Sequence, residues 1–577
     1  MLKQVLGVRC WVLAYLSQTV RAFARTQHPE PSTRFWHTRD VPAPEIGIRP
    51  RQSHATQAGR LRLPLCALGL LALRLALLPF SSDLAPAFSH DSGYIAIVAR
   101  NLLNGKGWVN DASWLVFLQP DHLPMPYHNA NPLYPLLTAV AAKVFSIQVV
   151  PAGLLVSALA DVALLIGAYF LVSYWLKNTW TALVIAVAVA TFPPVWKFSL
   201  QMLPDSLTLT LLIAGLACFV RAENRLFAAA AGILFGAAWL TRSTASLMGP
   251  ALAVYAFAVW RWPAALLRLS LAAVTAMLVA APWLIHTAHV WGSPLRSDAP
   301  YYVFQDFFAR SHGGSIHRYW RSPTPPPTPA ELLRTDGAAV LISAVTGIPK
   351  VLRAWLQAGW EDQYYPRIIF VIMLVSVALI SRRHLTEAPL LATAVYVAMQ
   401  IGALSLRANS MEPRYLAPLS AFAVICVGCG IAALPAAWRP PGAAGYALYL
   451  GCAFFAVYIP FQDARLAWNT ALHEDPATAN RRRVRRTIAA TITHHDPVIV
   501  FDPYFFTYDT GAQALSIPDS DDAYLMRYMD RYHSRWIILS DDEVRFWKPD
   551  WQAHLPSWLR IRAVTGGNTV FERVPSS

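Results

Sequence analysis

Recurring apolar windows constrain this chain more than any other feature of its sequence. Stretches of about 20 residues with few or no charges follow one another, each able to cross roughly 30 Å of hydrocarbon. They lie near 61–80, 149–176, 180–195, 206–220, 226–240, 246–260, 269–288, 367–381, 387–405, 415–434 and 443–460. In lipid a backbone must satisfy its own hydrogen bonds, so these windows read as helices. About eleven spans are expected, within a range of roughly ten to thirteen. Composition agrees: 55% of the 577 residues are hydrophobic and 14% are charged, against about 25% charged in soluble domains. Membrane insertion accounts for this better than one giant soluble core.

The formal charge of +15 does not mark a nucleic-acid partner, because of where it sits. Arginines crowd residues 1–60 (Arg9, Arg21, Arg25, Arg34, Arg39, Arg49, Arg51, Arg60) and the short links between apolar windows. That is the pattern of positive charge retained on a cytoplasmic face. Residues 1–60 therefore read as a basic cytoplasmic tail beside anionic membrane lipid, with no nucleic acid bound. The apolar stretch 5–16 is short, and no small-residue cleavage site follows it. An interfacial helix or a misplaced start codon fits it better than a signal peptide.

From an inside start, an odd number of crossings puts residues 461–577 outside. The transmembrane module 61–460 then carries two outer loops, 81–148 and 289–366, the second stiffened by Pro323-Thr324-Pro325-Pro326-Pro327. Residues 461–577 read as a small soluble α/β domain, periplasmic if the membrane is a bacterial cytoplasmic one. A helix-like stretch at 478–492 precedes the apolar run Val498-Ile499-Val500-Phe501, and another near 521–533 precedes Trp536-Ile537-Ile538-Leu539. The alternating stretch 559–574, broken at Gly566-Gly567, suggests a hairpin. Cys426 and Cys429 form a C-x-x-C inside an apolar window with no second pair nearby. They read as small buried hydrophobes, and no disulfide framework is indicated.

Charge next to hydrocarbon is costly, so ionisable residues at the outer ends of spans are functional candidates. Asp91 lies in His90-Asp91-Ser92-Gly93-Tyr94 after the first span, and Asp205 opens the fourth in Met202-Leu203-Pro204-Asp205-Ser206. On this topology both face one outer compartment. A carboxylate there can take the proton of an acceptor hydroxyl or amine as it attacks a sugar carbon. Each can also be read as a helix N-cap. Arg242 and Arg414 stand at outer edges of spans, where a guanidinium can grip a lipid-linked phosphate bidentately or simply snorkel to the interface. His286 and His289, with His122, His128, His312 and His317 in the loops, lack a cysteine or carboxylate partner set. A divalent metal is possible on these histidines but unsupported, and no cofactor is certain.

Several of these residues fall within longer motifs. Asp91-Ser92-Gly93-Tyr94, Ala99-Arg100-Asn101-Leu102 and Gly105-Lys106-Gly107, followed by Asn131-Pro132-Leu133-Tyr134-Pro135, resemble the first outer loop of the GT-C glycosyltransferases. Pro204-Asp205, Gly236 with Leu240-Thr241-Arg242, Pro282-Trp283 with Gly292-Ser293-Pro294, and Arg414-Tyr415-Leu416-Ala417-Pro418 follow in the same order. The set is similar to glycosyltransferase family 39, the dolichyl-phosphate-mannose protein mannosyltransferase-like enzymes and the aminoarabinose transferases. It covers roughly residues 62–460.

The resemblance implies a mainly α, polytopic GT-C architecture. It also implies a polyprenyl-phosphate-linked sugar donor, inverting transfer, and an active site on the outer face. Asp91 becomes the catalytic base with Asp205 assisting, while Arg242 and Arg414 become phosphate contacts. Tyr415, His90, Tyr94 and Tyr134 are further substrate-binding candidates within the same motifs. Two departures stand out: one carboxylate where the family often has an acidic pair, and His286-Thr287 where relatives often carry Arg-Asn.

The alternatives are a transporter or flippase of a lipid-linked saccharide, and a non-catalytic subunit of an envelope-assembly complex. Transport calls for polar residues in the middle of broken helices. Here ionisable residues gather at span ends, apart from Asp161 and Arg74. The sugar, and whether its acceptor is protein, lipid or glycan, are not written in the sequence.

Overall fold

The computed structural model describes residues 57–81, 90–127, 132–176, 178–192, 195–196, 199–358, 388–410, 412–433, 476–492 and 496–574. Residues 1–56 of the basic tail and the windows at 367–381 and 443–460 lie outside the described residues. The span count of eleven is therefore not read from the structure.

The described helices are α1 Gln57–Ser81, α2 His90–Leu103, α3 Leu133–Phe145, α4 Val149–Leu176, α5 Thr179–Ala190, α6 Asp205–Phe219 and α7 Arg225–Thr241. They continue with α8 Met248–Val259, α9 Trp262–Trp291, α10 Pro329–Ala358, α11 Ala388–Ser405 and α12 Ala417–Ala433. Stretches of α4, α9 and α10 are long and apolar enough to cross a membrane, and several shorter apolar helices pack beside them. Local chemistry sets several ends. Asn178 accepts hydrogen bonds from the amides of Trp180 and Thr181 to open α5, and Asn224 caps α7 through Leu226. Gly292, at φ 69°, ends α9 in the left-handed conformation that glycine adopts without strain.

Small residues decide how closely α7 and α9 approach. A Cβ on Gly232 would sit 2.1 Å from the Ala272 carbonyl oxygen, and one on Gly236 would sit 2.6 Å from that of Ala276. Gly232 and Gly236 form a Gly-x-x-x-Gly face, which in membranes lets two backbones pack almost directly. Deeper in the bundle, Arg74 of α1 and Asp161 of α4 pair through Nε and Oδ2 at 2.9 Å, with the guanidinium 3.5 Å from the Trp196 ring centroid. The two charges that the sequence leaves inside hydrocarbon thus pair with one another.

The structure differs from the sequence reading in the second outer loop. Residues 289–366 contain short helices at 299–303, 305–309 and 316–321, and then the 30-residue α10. Glu331, Asp336, Lys350 and Arg353 dilute the hydropathy of α10, yet its stretch Pro329–Trp355 is apolar enough to span.

The C-terminal part is α/β. Helices α13 Pro476–Thr491, α14 Pro503–Thr510, α15 Asp522–Arg531 and α16 Asp541–Trp547 pack with strands that form a sheet. Numbering the first loop's short strands β1 Val109–Asn110, β2 Ala112–Ser113 and β3 Met125–Pro126, the sheet contains β2, β4 Val498–Val500, β5 Ala514–Ser516, β6 Trp536–Ser540, β7 Leu559–Thr565 and β8 Asn568–Arg573. Its order is β2-β5-β4-β6-β8-β7. The β7–β8 hairpin turns on Gly566 and Gly567, both at positive φ as a type I′ turn requires.

The edge strand β2 comes from the first loop, about 400 residues away, and runs parallel to β5 through Ala112↔Ala514 and Ser113↔Leu515. The first loop and the α/β unit therefore share one sheet and one side of the molecule. Arg321 locks the joint: it lies between the rings of Trp114, Phe501 and Trp547, 4.0–5.0 Å from their centroids, and donates to the Phe501 carbonyl. Burial pushes this arginine down to about 9, against the pull of Asp502, Glu543 and Asp519.

Candidate functional site

The first-loop motif builds α2 and then fastens it. Arg100 donates to the carbonyls of Thr507 and Tyr508 on α14, and Asn101 donates to the Val109 carbonyl across the Gly105–Gly107 turn. At the other end of α2, Ser92 donates to the Met202 carbonyl. Ser157 of α4 reaches the carbonyls of Gln201 and Leu203, and Tyr134 bonds Ser157 at 2.7 Å and the Gly153 carbonyl at 2.8 Å. These bonds hold the segment before α6 against the start of α2. Asp91 and Asp205, each in the first turn of its helix, are placed by them.

Each carboxylate meets an arginine. Arg414 Nη2 lies 2.6 Å from Asp91 Oδ2, and Arg242 Nη1 lies 2.5 Å from Asp205 Oδ1. Pro204, not Asp205, occupies the N-cap of α6, and it makes no side-chain cap. Arg242 sits in an extended residue between α7 and the 3-10 turn Ser243–Leu247, which frees its side chain to cross to α6. Asp91 is about half exposed while Arg414 is buried, so this pair opens toward solvent. Asp205 is buried, and its Oδ2 has no hydrogen-bond partner among the described residues. A buried acceptor left open in this way is uncommon in native folds.

Tyr415 stands at the centre. The guanidiniums of Arg407, Arg242 and Arg414 lie 4.3, 4.9 and 5.1 Å from its ring centroid. Glu412 also pairs with Arg414, at 2.8 Å. The structure thus gathers Asp91, Asp205, Arg242, Arg414 and Tyr415. Sequence reasoning missed Arg407 and Glu412; both flank the Arg414 motif, but neither repeats a pattern that would have singled it out.

The other expected site residues lie elsewhere. Tyr134 is fully buried with its hydroxyl engaged as above. Tyr94, one turn after Asp91, stacks on Tyr127 at 5.5 Å and meets Tyr504 of α14 at 5.3 Å. Burial, with Tyr127, Asp298 and Tyr504 beside it, holds the Tyr94 hydroxyl well above its ordinary value, so it stays protonated. The side chain of His90 lies outside the described residues. Trp283, from the Pro-Trp motif, packs edge-on to Trp108 and Tyr127 and stacks on His286 at 4.9 Å. Among the described residues no group of three or more His, Cys, Asp and Glu could hold a metal ion.

Two neighbouring apolar cavities lie between α7, α8 and α9. A cavity of about 490 Å³, lined by Phe235, Leu252, Ala273, Met277 and Leu284, shares Trp239, Ser246 and Leu295 with a second. The second holds about 410 Å³ and is bordered by Ser243, Thr244, Trp283, Arg296 and Ala403. Ser243 and Thr244 directly follow Arg242 in the chain.

Comparison with known proteins bears on the fold. Residues 127–286 match the family of dolichyl-phosphate-mannose-protein mannosyltransferases. No curated protein matches the chain by sequence. Among solved structures, the ArnT of Cupriavidus metallidurans bound to undecaprenyl phosphate superposes with a TM-score of 0.52 at 15% identity, covering 88% of this chain and 98% of that one. The oligosaccharyltransferase AglB of Archaeoglobus fulgidus, in complex with an inhibitory peptide and a dolichol-phosphate, gives 0.54 at 12% identity, over 88% and 74%. The chain thus shares the fold of these two proteins over most of its length, and its residues 127–286 are similar to the mannosyltransferase family.

Proposed function

We propose that the chain is an integral membrane glycosyltransferase that moves a sugar from a polyprenyl-phosphate carrier to an extracytoplasmic acceptor, with inversion. The observation that carries this reading is the half-exposed Asp91 carboxylate, held by a buried arginine beside a second acid–arginine pair. An apolar groove is bordered by Ser243 and Thr244, the residues that follow Arg242 in the chain. The groove suits an isoprenoid tail, and the polar cluster suits its phosphate and sugar. In the two solved relatives named above the bound lipids are undecaprenyl phosphate and dolichol-phosphate, which fits a lipid donor here.

In the proposed reaction an acceptor hydroxyl or amine attacks the anomeric carbon. The bond from that carbon to the phosphate oxygen breaks, and polyprenyl phosphate leaves. Asp91 takes the acceptor's proton, and Asp205 assists through its open Oδ2. Arg242 and Arg414 fix the carboxylates and offset charge on the leaving phosphate. Phosphate is a good leaving group, so positioning and electrostatics supply most of the acceleration. Tyr415, Tyr94 and His90 remain proposed contributors around the substrates, and Tyr134 contributes through the segment its hydroxyl holds before Asp205. We place the α/β unit outside the cytoplasm of a bacterial inner membrane, with residues 1–60 inside.

The test is single-turnover transfer by full-length protein in liposomes, using radiolabelled polyprenyl-phosphate sugar and an envelope extract as acceptor source. Label is expected to move from the lipid to a protein, lipid or glycan fraction. Label that crosses the bilayer still attached to its carrier, with no transfer, supports the flippase instead.

A further inference from the structure

The segment that leads from α5 into Asp205 is docked along a single face of α4. Gly153, Ser157 and Asp161 recur at every fourth residue of that helix, so they stand one above another on it. Gly153 leaves room for Met202, whose Cγ would lie 2.5 Å from a Cβ at that position. Ser157 reaches the carbonyls of Gln201 and Leu203 at 3.0 and 3.4 Å. Asp161 acts at one remove, through Arg74. The Nη2 of that arginine donates to Ser199 Oγ, and its guanidinium covers the Trp196 ring. Ser199 donates in turn to the Trp196 carbonyl at 2.8 Å. Beyond Asp205, Thr210 of α6 donates to the carbonyl of Ala160, the neighbour of Asp161, at 2.6 Å.

This ion pair is a costly way to fill a helix bundle. Both side chains are buried, and Arg74 Nη1 and Asp161 Oδ1 have no hydrogen-bond partner among the described residues. Apolar side chains of similar volume would be as stable or more so, because two charges lose their hydration on burial. They could not, however, reach the Ser199 hydroxyl and hold the upstream end of the segment. The downstream end is Asp205 itself, and Met202 accepts at 3.1 Å from Ser92, in the first turn of the helix that carries Asp91. The place of this one segment therefore sets both carboxylates.

We propose that the Arg74–Asp161 pair positions the two carboxylates, fixing residues 196–205 against α4 and so aiming Asp205 directly and Asp91 through Ser92. This rests on the glycosyltransferase reading above and adds to it two residues that touch no substrate. A reacting group misplaced by about 1 Å can cost on the order of a hundredfold in rate. The effect therefore falls on kcat and not on binding of the donor.

The experiment measures kcat, donor KM, thermal unfolding and backbone hydrogen exchange of full-length protein in liposomes. Ser199→Ala removes the contact and leaves the ion pair. Arg74→Met combined with Asp161→Leu removes the pair and strands no charge. Both should lower kcat by about tenfold or more with donor KM unchanged, while amides 199–208 exchange faster and those of α4 do not. Ser199→Thr, which keeps the hydroxyl, should retain the parent's kcat. Ser199→Ala decides the matter if the double variant does not fold. Parent-like kcat in a folded variant overturns the assignment while the functional reading stands. So does a loss of kcat with unaltered exchange at 199–208, or a loss that appears as a raised donor KM. A parent that transfers no sugar overturns both.

Discussion

Tyr134 illustrates what a single residue can and cannot reveal. Its motif marks it for the substrate, but its hydroxyl is spent on Gly153 and Ser157, which in turn hold the segment leading into Asp205. Tyr134→Phe should therefore cost about 1 kcal/mol of stability, the usual net value of lost buried hydrogen bonds. It should lower kcat and leave donor KM unchanged, as thermal unfolding and steady-state transfer would show. A raised KM with normal stability would return Tyr134 to the substrate. Asp161 makes a sharper case, because its loss strands Arg74 in the bundle core. Asp161→Leu should destabilise by roughly 3–5 kcal/mol, and Asp161→Leu combined with Arg74→Met by much less, since an uncompensated buried charge costs more than a removed pair. Equal melting temperatures for the single and double variants would contradict this. The sequence exposed both charges as oddities of position; that they face one another depends on the packing of α1 on α4, which spacing does not encode.

Among the elements, the motifs that were legible in the sequence have identifiable physical reasons. Gly236 of the Gly…Leu-Thr-Arg motif, with Gly232, lets α9 touch the α7 backbone. Gly232→Val should force the helices apart at a cost of about 1–3 kcal/mol, read as a lower melting temperature of the full-length protein; an unchanged melt would show that the contact yields. Asn101 and the glycines at 105 and 107 shape the turn after α2, and Trp283 plugs the aromatic layer beneath the first loop. The strands at 498–500 and 536–540 and the hairpin at 559–573 were readable from apolar runs and a double glycine. Strand β2 was not, because two residues carry no periodicity. Helix α10 was hidden by its charges and by Pro349.

The α/β element also carries a pH dependence. Burial works against the charge of Glu572, but hydrogen bonds from Arg560 and Arg535 outweigh it and hold the carboxyl below its usual range. A folded pKa below the unfolded one binds fewer protons in the native state, so this stabilisation is complete above about pH 4.5 and fades as acid protonates the folded form. Glu572→Gln should flatten the acid limb of the stability curve; an unaltered limb would rule the group out.

For the whole molecule, the decisive arrangement is that the first loop and the C-terminal unit are completed by one another. Strand β2 closes the sheet, Arg100 ties α2 to α14, and Arg321 is clamped between both. The helical class, the small α/β unit and the acid–arginine motifs could all be read along the chain; this joint could not, because it links residues about 400 positions apart. It places Tyr504 of the α/β unit within one aromatic contact of the helix that bears Asp91.

The central claim is that this architecture exists to hold one carboxylate beside a lipid-linked phosphate. Its most direct test is Asp91→Asn in full-length protein, with transfer from a polyprenyl-phosphate sugar and binding of the carrier lipid measured on the same preparation. Transfer is predicted to fall by about 10²–10⁴-fold, the range for a lost general base, with carrier binding retained. Transfer at the parent's rate in that variant would contradict the account.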